Sequence, residues 1–390
     1  MDNTPIICDY GSGFSKVGFA GTRVPLAVFP TILGKMKNAT LLERLEEEDW
    51  FIGAEVQNNR PKLNIHYPIF RGAITNWDNV QKVWHYSFYH YLRIAPEQHP
   101  ILVTDPPLTT KEARSKMTQI LFETFNFPAL YLANQGVLSL YASGRTSGTT
   151  IESGDGMTYF VPIANGYPLH LSTTKVDTAG QDLTVYLMKL LSDNGNMLET
   201  TADLEHVRDL KEKCCYVALD YDMEMSKTSE SSFLKKFTLP DGKEISLGQE
   251  TFMCPEVLFN PSLVGESRVR GQWFNGQSEG RRGKNYPGID MQAQQSITSC
   301  DKSHWRNLFG YIILSGGTGT CSGLRFRLQR EIAKLVSPEL SVKVVTSPYA
   351  KYGAWVGASI LCSLPMFKDM WITNHEYLEI GPSVICRRTF

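Results

Sequence analysis

Asp9-Tyr10-Gly11-Ser12-Gly13-Phe14-Ser15-Lys16 joins two short apolar runs, Ile6-Ile7-Cys8 before it and Val17-Gly18-Phe19-Ala20 after it. Apolar residues on both sides of a Gly-rich turn predict a β-hairpin. A Walker loop or a Rossmann turn would lead from a strand into a helix instead. The same shape returns as Thr149-Thr150-Ile151, Glu152-Ser153-Gly154-Asp155-Gly156 and Met157-Thr158-Tyr159-Phe160-Val161. Both copies run acidic residue, spacer, Gly, polar residue, Gly. Two copies of one supersecondary unit predict duplicated domains that face each other. Two unrelated hairpins are the other reading, because Gly-containing hairpins are common.

Outward from these turns, strand and helix signals alternate. Apolar residues at helical spacing predict helices over Trp77–Leu92, Thr110–Phe125, Val137–Ser143 and Leu183–Leu191. Ile101-Leu102-Val103 reads as a strand. A third Gly-rich turn, Ser315-Gly316-Gly317-Thr318-Gly319, follows the strand Tyr311–Leu314 and leads to a helix marked by Leu324, Leu328, Ile332 and Leu335. The class is α/β. Lys35–Asp49 and Glu266–Gly288 carry no such period and read as irregular excursions.

Three such turns in one chain point to a polyphosphate. Glycine lets backbone N–H groups approach phosphate oxygens closely, and Lys16 is near enough to the first turn to place an ammonium there. Acidic residues at a phosphate site make sense with Mg²⁺, which takes hard oxygen ligands and keeps several waters. Asp9 and Glu152 hold the same place in the two hairpins and are candidates to orient metal-bound waters; Asp155 is a further candidate. Taken singly, each turn has a plainer reading as a tight hairpin.

Composition excludes several classes. At 390 residues the chain is long enough for two or three lobes. Basic and acidic residues nearly cancel, 39 against 40, so no whole-molecule field draws in nucleic acid or an anionic membrane. No apolar run approaches the roughly 20 residues of a spanning helix. The eight cysteines form no CxxC pair, which argues against a zinc ribbon. No secretory signal is expected at Met1–Asp9, and Cys386-Arg387-Arg388-Thr389-Phe390 is one residue too long for a CaaX box. A reduced compartment, cytosol or nucleus, is the expectation.

Taken together, Asp9-x-Gly-Ser-Gly-x-x-Lys16, Ser153-Gly154-Asp155-Gly156, Ala179-Gly180-x-Asp182-Leu183 and Leu314-Ser315-Gly316-Gly317-Thr318 resemble actin. So do Thr75-Asn76-Trp77-Asp78, Met117-Thr118-Gln119-Ile120, Val137–Thr146, Lys211-Glu212-Lys213, Cys215–Asp220 and Trp355-Val356-Gly357. The resemblance runs from Ile6 to Phe390 and is to a divergent actin-related protein, with the testis-type branch the nearest likeness. It implies the actin-like ATPase fold: a first lobe over 1–142 with an insertion at about 32–69, and a second over 143–345 with an insertion at about 181–258 and the extra loop 266–288. A segment over 346–390 then returns to the first lobe. It also implies ATP or ADP in the interlobe cleft, with Mg²⁺ or Ca²⁺. By motif, Ser12, Gly13, Lys16, Asp155 and Gly156 hold phosphates, with Phe14, Met157 and Gly316 completing the same turns. Arg208, Lys211, Glu212, Gly317 and Lys351 surround adenine and ribose. Asp9, Glu152 and Gln135 face the metal-bound water, and Gln135 positions the attacking water.

Departures from the actin pattern shape the functional expectation. Tyr159 stands where actins carry histidine, Glu152 where they carry Asp, Tyr10 where they carry Asn and Gln181 where they carry arginine. Gly319-Thr320-Cys321-Ser322 departs from the stretch that packs the base. A phenol with pKa near about 10 is a poor proton acceptor at neutral pH, so slow or absent hydrolysis is expected. In the 35–49 loop, Leu41, Leu42 and Leu45 alternate with charge; it is either a solvated loop or a short partner-docking helix. The 266–288 loop carries Arg268, Arg270, Arg281, Arg282, Lys284 and Trp273-Phe274 and reads as partner-binding or disordered, in either case hindering ordinary filament packing. Tyr141, Val356, Ile360, Leu361, Leu364 and Phe367 are candidates for a lower apolar cleft that binds proteins; plain core is the other reading, above all for Ile360 and Leu361. The expectation is a structural subunit of cytoplasm and cytoskeleton with at most weak ATPase activity. Competing readings are an active filament-forming ATPase, a nuclear chromatin-complex subunit, and a sugar kinase or chaperone-type ATPase on the same fold.

Overall fold

The computed structural model describes residues 4–37, 50–195, 198, 201–227, 235–238, 244–264 and 287–388. Most of the 35–49 and 266–288 segments, with the side chains singled out there, lies outside the described residues.

The opening hairpin forms as its turn chemistry predicts. β1 (Ile6–Tyr10) and β2 (Phe14–Phe19) pair antiparallel with Asp9 opposite Lys16. β3 (Ala27–Pro30) continues antiparallel beside β2. On the other side, β4 (Ile101–Asp105) runs parallel to β1, and β5 (Ala129–Asn134) parallel to β4. Every residue of β1 and β4 is buried, which explains their near-continuous apolar runs: a parallel strand covered on both faces has no solvent side to mark with polar residues. The expected helix over Trp77–Leu92 is α-helical to His85, then widens into π-helical turns over Tyr86–Leu92. Its start is capped by Asn76, whose side chain accepts from the Asn79 N–H.

The second lobe repeats this plan. β6 (Gly148–Ser153) and β7 (Thr158–Ala164) pair antiparallel with Glu152 opposite Tyr159. β8 (Tyr167–Pro168) and β9 (Thr174–Val176) extend antiparallel along β7. β10 (Ile312–Ser315) runs parallel to β6, and β11 (Val344–Thr346) parallel to β10. A hairpin, a further antiparallel strand and two parallel strands on the far side thus occur twice. The repeat seen in the two turns is a repeat of sheet topology, so coincidence between unrelated hairpins is set aside. In this register Asp9 corresponds to Glu152, and Lys16 to Tyr159. The chain then returns to the first sheet, where β12 (Ile372–Thr373) pairs with β5.

Four helices frame the space between the sheets: α1 (Gln135–Tyr141), α2 (Gly180–Asp193), α3 (Thr201–Cys214) and α4 (Gly353–Cys362). α1 follows β5 and α4 follows β11, again at matching places. Trp355 of α4 is fully buried, and its indole N–H donates to the Ile7 carbonyl at 3.1 Å. Each lobe has its own apolar core, one around Trp84, Phe88 and Phe127 and the other around Phe160, Leu187 and Phe309. A third cluster of Ile7, Leu102, Leu138 and Trp355 lies within the first lobe where α1 and α4 meet, and Val137 and Leu140 of α1 pack against Val161 and Ile313 of the second lobe. Phe367 belongs to the third cluster and is buried, whereas Ile360 is 42% exposed and Leu364 49%. For Ile360 the plain-core reading is thereby corrected: helical phase turns it away from the side of α4 that carries Ala354, Trp355 and Ala358, whereas for Phe367 burial corrects the cleft reading. Among the described residues no helix is long and apolar enough to cross a membrane.

Candidate functional site

The two glycine turns meet face to face. A Cβ on Gly13 would stand 2.8 Å from the Asp155 Cβ, and one on Gly156 would overlap the Ser12 hydroxyl. Close approach of the two backbones is therefore possible only because both positions lack a side chain. The third turn is tied in through Thr318, whose hydroxyl donates to the Gly154 carbonyl at 2.7 Å.

Beside the turns lies an interlobe cavity of about 540 Å³. Ser12, Gly13, Phe14 and Lys16 line it from the first turn, Asp155, Gly156 and Met157 from the second, and Gly316 and Gly317 from the third. Asp9, Glu152, Gln135, Lys211, Glu212 and Lys351 complete the set of expected residues on its wall. Arg208 stands just beside it, on a recess that also touches Ser12, Gly13 and Asp155. Its guanidinium pairs with Glu205 at 3.1 Å and lies 5.1 Å from the centre of the Phe14 ring. It faces a small adjoining cavity of about 30 Å³ with Tyr67, Gln181 and Glu205. Arg60 from the first lobe shares the same Glu205 at 2.9 Å, so one buried carboxylate joins two arginines across the lobes.

The acidic end of the cavity is built from matching strand positions. Asp9 accepts from Lys16 Nζ at 2.8 Å, from the Thr104 hydroxyl at 2.6 Å and from Gln135 Nε2 at 3.0 Å. The Ser139 and Ser315 hydroxyls, 3.1 Å apart, lie near Glu152. Its Oε1 is buried and has no partner. Burial pushes the Glu152 carboxyl up to about 7, with the Ser139 and Ser315 hydroxyls and Lys16 opposing and the Asp9 charge adding. Asp155 is also raised by burial, against the pull of Lys211 and Arg208. Among the described residues no group of three or more His, Cys, Asp or Glu side chains is arranged to hold a metal. Two carboxylates flanked by hydroxyls, one with an unmatched oxygen, fit a hard divalent cation that keeps several waters. They do not fit a transition metal that needs nitrogen or sulfur.

Tyr159 is buried under the turns, with its hydroxyl against Gly72. Burial, reinforced by Asp105 and Asp177, pushes its phenol up to about 12. Lys211 donates to the Gly180 carbonyl at 2.6 Å and to Thr184 at 2.9 Å, so it braces the start of α2 while lining the cavity. The remaining wall includes Leu183, Cys215, Cys254, Pro255, Thr320 and Cys321. All eight cysteines are free thiols.

Several residues at the site were given no role from the sequence. Thr104 and Ser315 end the apolar runs of β4 and β10 at equivalent places, and superposing the two strands would have found them. Ser139 sits on α1, where nothing in its neighbourhood distinguishes it. Arg71 and Asp182, paired across the lobes at 2.8 Å, are 111 residues apart in sequence, and no local pattern links them.

The sequence matches the family model described as Actin over residues 1–390, the whole chain. A duplicated α/β sheet plan, interlocked glycine turns at the lobe interface and a family match from end to end lead to one statement: this chain belongs to the actin family.

Proposed function

We propose that the protein is an actin-related structural subunit that clamps ATP or ADP with Mg²⁺ or Ca²⁺ between its lobes, hydrolyses the nucleotide slowly or not at all, and does not build conventional filaments. The observation that carries this reading is the contact between the two glycine turns, Gly13 against Asp155 and Gly156 against Ser12. Actin-family proteins generally bind ATP or ADP with a divalent cation. Here Ser12, Gly13, Phe14, Lys16, Gly156 and Met157 would hold phosphates, and Asp9 and Glu152 would hold the cation through waters. Lys211, Glu212, Gly316, Gly317 and Lys351 would face base and ribose. The cation would supply charge neutralisation of the polyphosphate.

Slow hydrolysis follows from the side chains near the turns. A phenol held at about 12 stays protonated at neutral pH and accepts no proton from water. Gln135 Nε2 is committed to Asp9 and Thr104, leaving only its carbonyl to orient a water. The nucleotide then acts chiefly as a structural ligand, stabilising the closed lobes by binding the folded state. Ile360, Leu364 and the half-buried Tyr141 are the positions through which the lower cleft would take a protein partner. Cytoplasm and cytoskeleton are the proposed setting.

The test is direct. Adenine nucleotide released by acid from the purified protein is expected near one per chain, and added Mg-ATP at about a hundred times its Kd is expected to stabilise the fold by about 2.7 kcal/mol. Protein that carries no nucleotide and gains no thermal protection refutes the clamp. Sedimentation with ATP and Mg²⁺ beside conventional actin tests the filament claim, and a matching pellet refutes it.

A further inference from the structure

The lobes also meet behind the glycine turns. Strands Ile69–Phe70 and Ala73–Ile74 form a tight hairpin whose two central residues, Arg71 and Gly72, both have positive φ, 49° and 72°. This left-handed pair suits glycine and strains a side chain, so Arg71 must be held there by its contacts. Those contacts cross the cleft. Nη2 donates to Asp182 Oδ1 at 2.8 Å and Nη1 to Asp182 Oδ2 at 3.3 Å. Nη1 also donates to the Asp177 carbonyl and, at 3.4 Å, to the Gly156 carbonyl. Asp182 Oδ2 in turn accepts the Ala179 N–H at 3.1 Å and caps α2. Gly72 faces the other way: its N–H donates to Ser12 Oγ at 2.9 Å, and a Cβ there would stand 2.6 Å from the Tyr159 hydroxyl. One two-residue turn thus touches both glycine turns, Tyr159 and the cap of α2.

We propose that Arg71 is a positioning residue, an interlobe latch that holds the Gly154–Gly156 turn against Ser12 and sets how fast a polyphosphate ligand leaves. The rate claim rests on the nucleotide-clamp reading; the latch itself does not. Separating the lobes must break a forked arginine–carboxylate pair, which is stronger and more directional than a lysine contact. The Arg71 side chain is 20% exposed and Asp182 4%, so the pair is largely shielded from salt.

The test uses Arg71→Gln, Arg71→Lys and Asp182→Asn in the full chain; Asn keeps an oxygen for the Ala179 N–H. One readout is dissociation of a fluorescent ATP analogue with Mg²⁺. The other is hydrogen exchange of the Gly180 and Gln181 amides, which donate to the Gly154 and Asp155 carbonyls at 3.1 and 2.8 Å. Arg71→Gln is expected to speed both by about tenfold to a hundredfold, the range for charged hydrogen bonds. Arg71→Lys is expected to fall between, and to carry the comparison where Arg71→Gln does not fold. Asp182→Asn is expected to add little once Arg71 is gone. Unchanged exchange at these amides overturns the latch, as do additive effects of the two substitutions. If the unaltered protein binds no analogue, the clamp reading fails while the exchange arm still judges the latch.

Discussion

Replacing Glu152 with Gln probes the electrostatics of the cleft in a single measurement. Glu152 is 9% exposed, and one of its carboxylate oxygens is buried without a partner. Its carboxyl is pushed from the ordinary 4.5 to about 7, chiefly by burial. A carboxyl whose folded pKa is raised binds its proton more tightly in the native state. Its stabilising contribution is therefore complete below the unfolded value and is lost as pH rises through the folded one. The interval from 4.5 to about 7 is worth about 3 kcal/mol at about 1.4 kcal/mol per pH unit. About 2 kcal/mol of that falls between roughly pH 5.5 and 8.5. Asp105, Asp155 and Glu256 are raised in the same direction by burial, but they are present in both proteins and cancel in the comparison. The assay is urea unfolding of the unaltered protein and Glu152→Gln with nucleotide and metal removed by chelation, at three pH values across that window. A uniform cost for burying the amide shifts the variant equally at every pH. The difference between the two proteins is expected to move by about 2 kcal/mol in favour of Gln as pH rises. Parallel pH profiles would show that Glu152 titrates as an ordinary carboxylate and would sink the cleft electrostatics drawn from its burial.

Three further outcomes are expected. Gly156→Ala places a methyl group into the Ser12 hydroxyl and 3.0 Å from the Arg71 Cα, which should cost about 1–3 kcal/mol and abolish stabilisation by Mg-ATP in thermal melts; an unchanged ATP response refutes the interlocked-turn account. Glu205→Gln leaves Arg60 and Arg208, each with a 9% exposed side chain, without their shared counter-charge. A loss of about 3 kcal/mol in chemical unfolding is expected, and a neutral effect would show that the pair of arginines does not depend on Glu205, with Asp155 and Glu212 already balancing Arg208. Tyr159→His supplies a base with pKa near about 6.5 where the phenol stands; single-turnover phosphate release should rise at least about tenfold, and no change would place the slow step elsewhere.

The hairpins were legible because their signals are local. A Gly-rich turn between apolar runs predicts a β-hairpin from a few neighbouring residues, and the paired acids at Asp9 and Glu152 stand two residues before the first glycine of each turn. Helix starts were less legible. α1 begins at Gln135, ahead of its apolar run, because the Asn134 side chain accepts from the Gly136 and Val137 N–H groups. α2 begins at Gly180, where Asp182 reaches back to the Ala179 N–H. The surroundings of Arg208 were not legible either: it lines a small adjoining cavity with Ser12, Gly13 and Asp155, and a buried Glu205 pairs it with an arginine from the other lobe. Ile360 was read as either cleft or core, with core favoured from its apolar character, but helical phase leaves it exposed.

The amino-acid order alone determined that this chain carries two like hairpins with glycine bends and matched acids, and through its motifs that it resembles actin. Those features are short-range, set by φ/ψ freedom, side-chain alternation and spacing within a few residues. Only the tertiary structure decided that the bends interlock, that Lys16 and Tyr159 occupy equivalent places, and that Arg71 reaches Asp182. The reason is physical: contacts between residues more than a hundred positions apart depend on how two separately cored lobes dock, and no local pattern encodes that geometry.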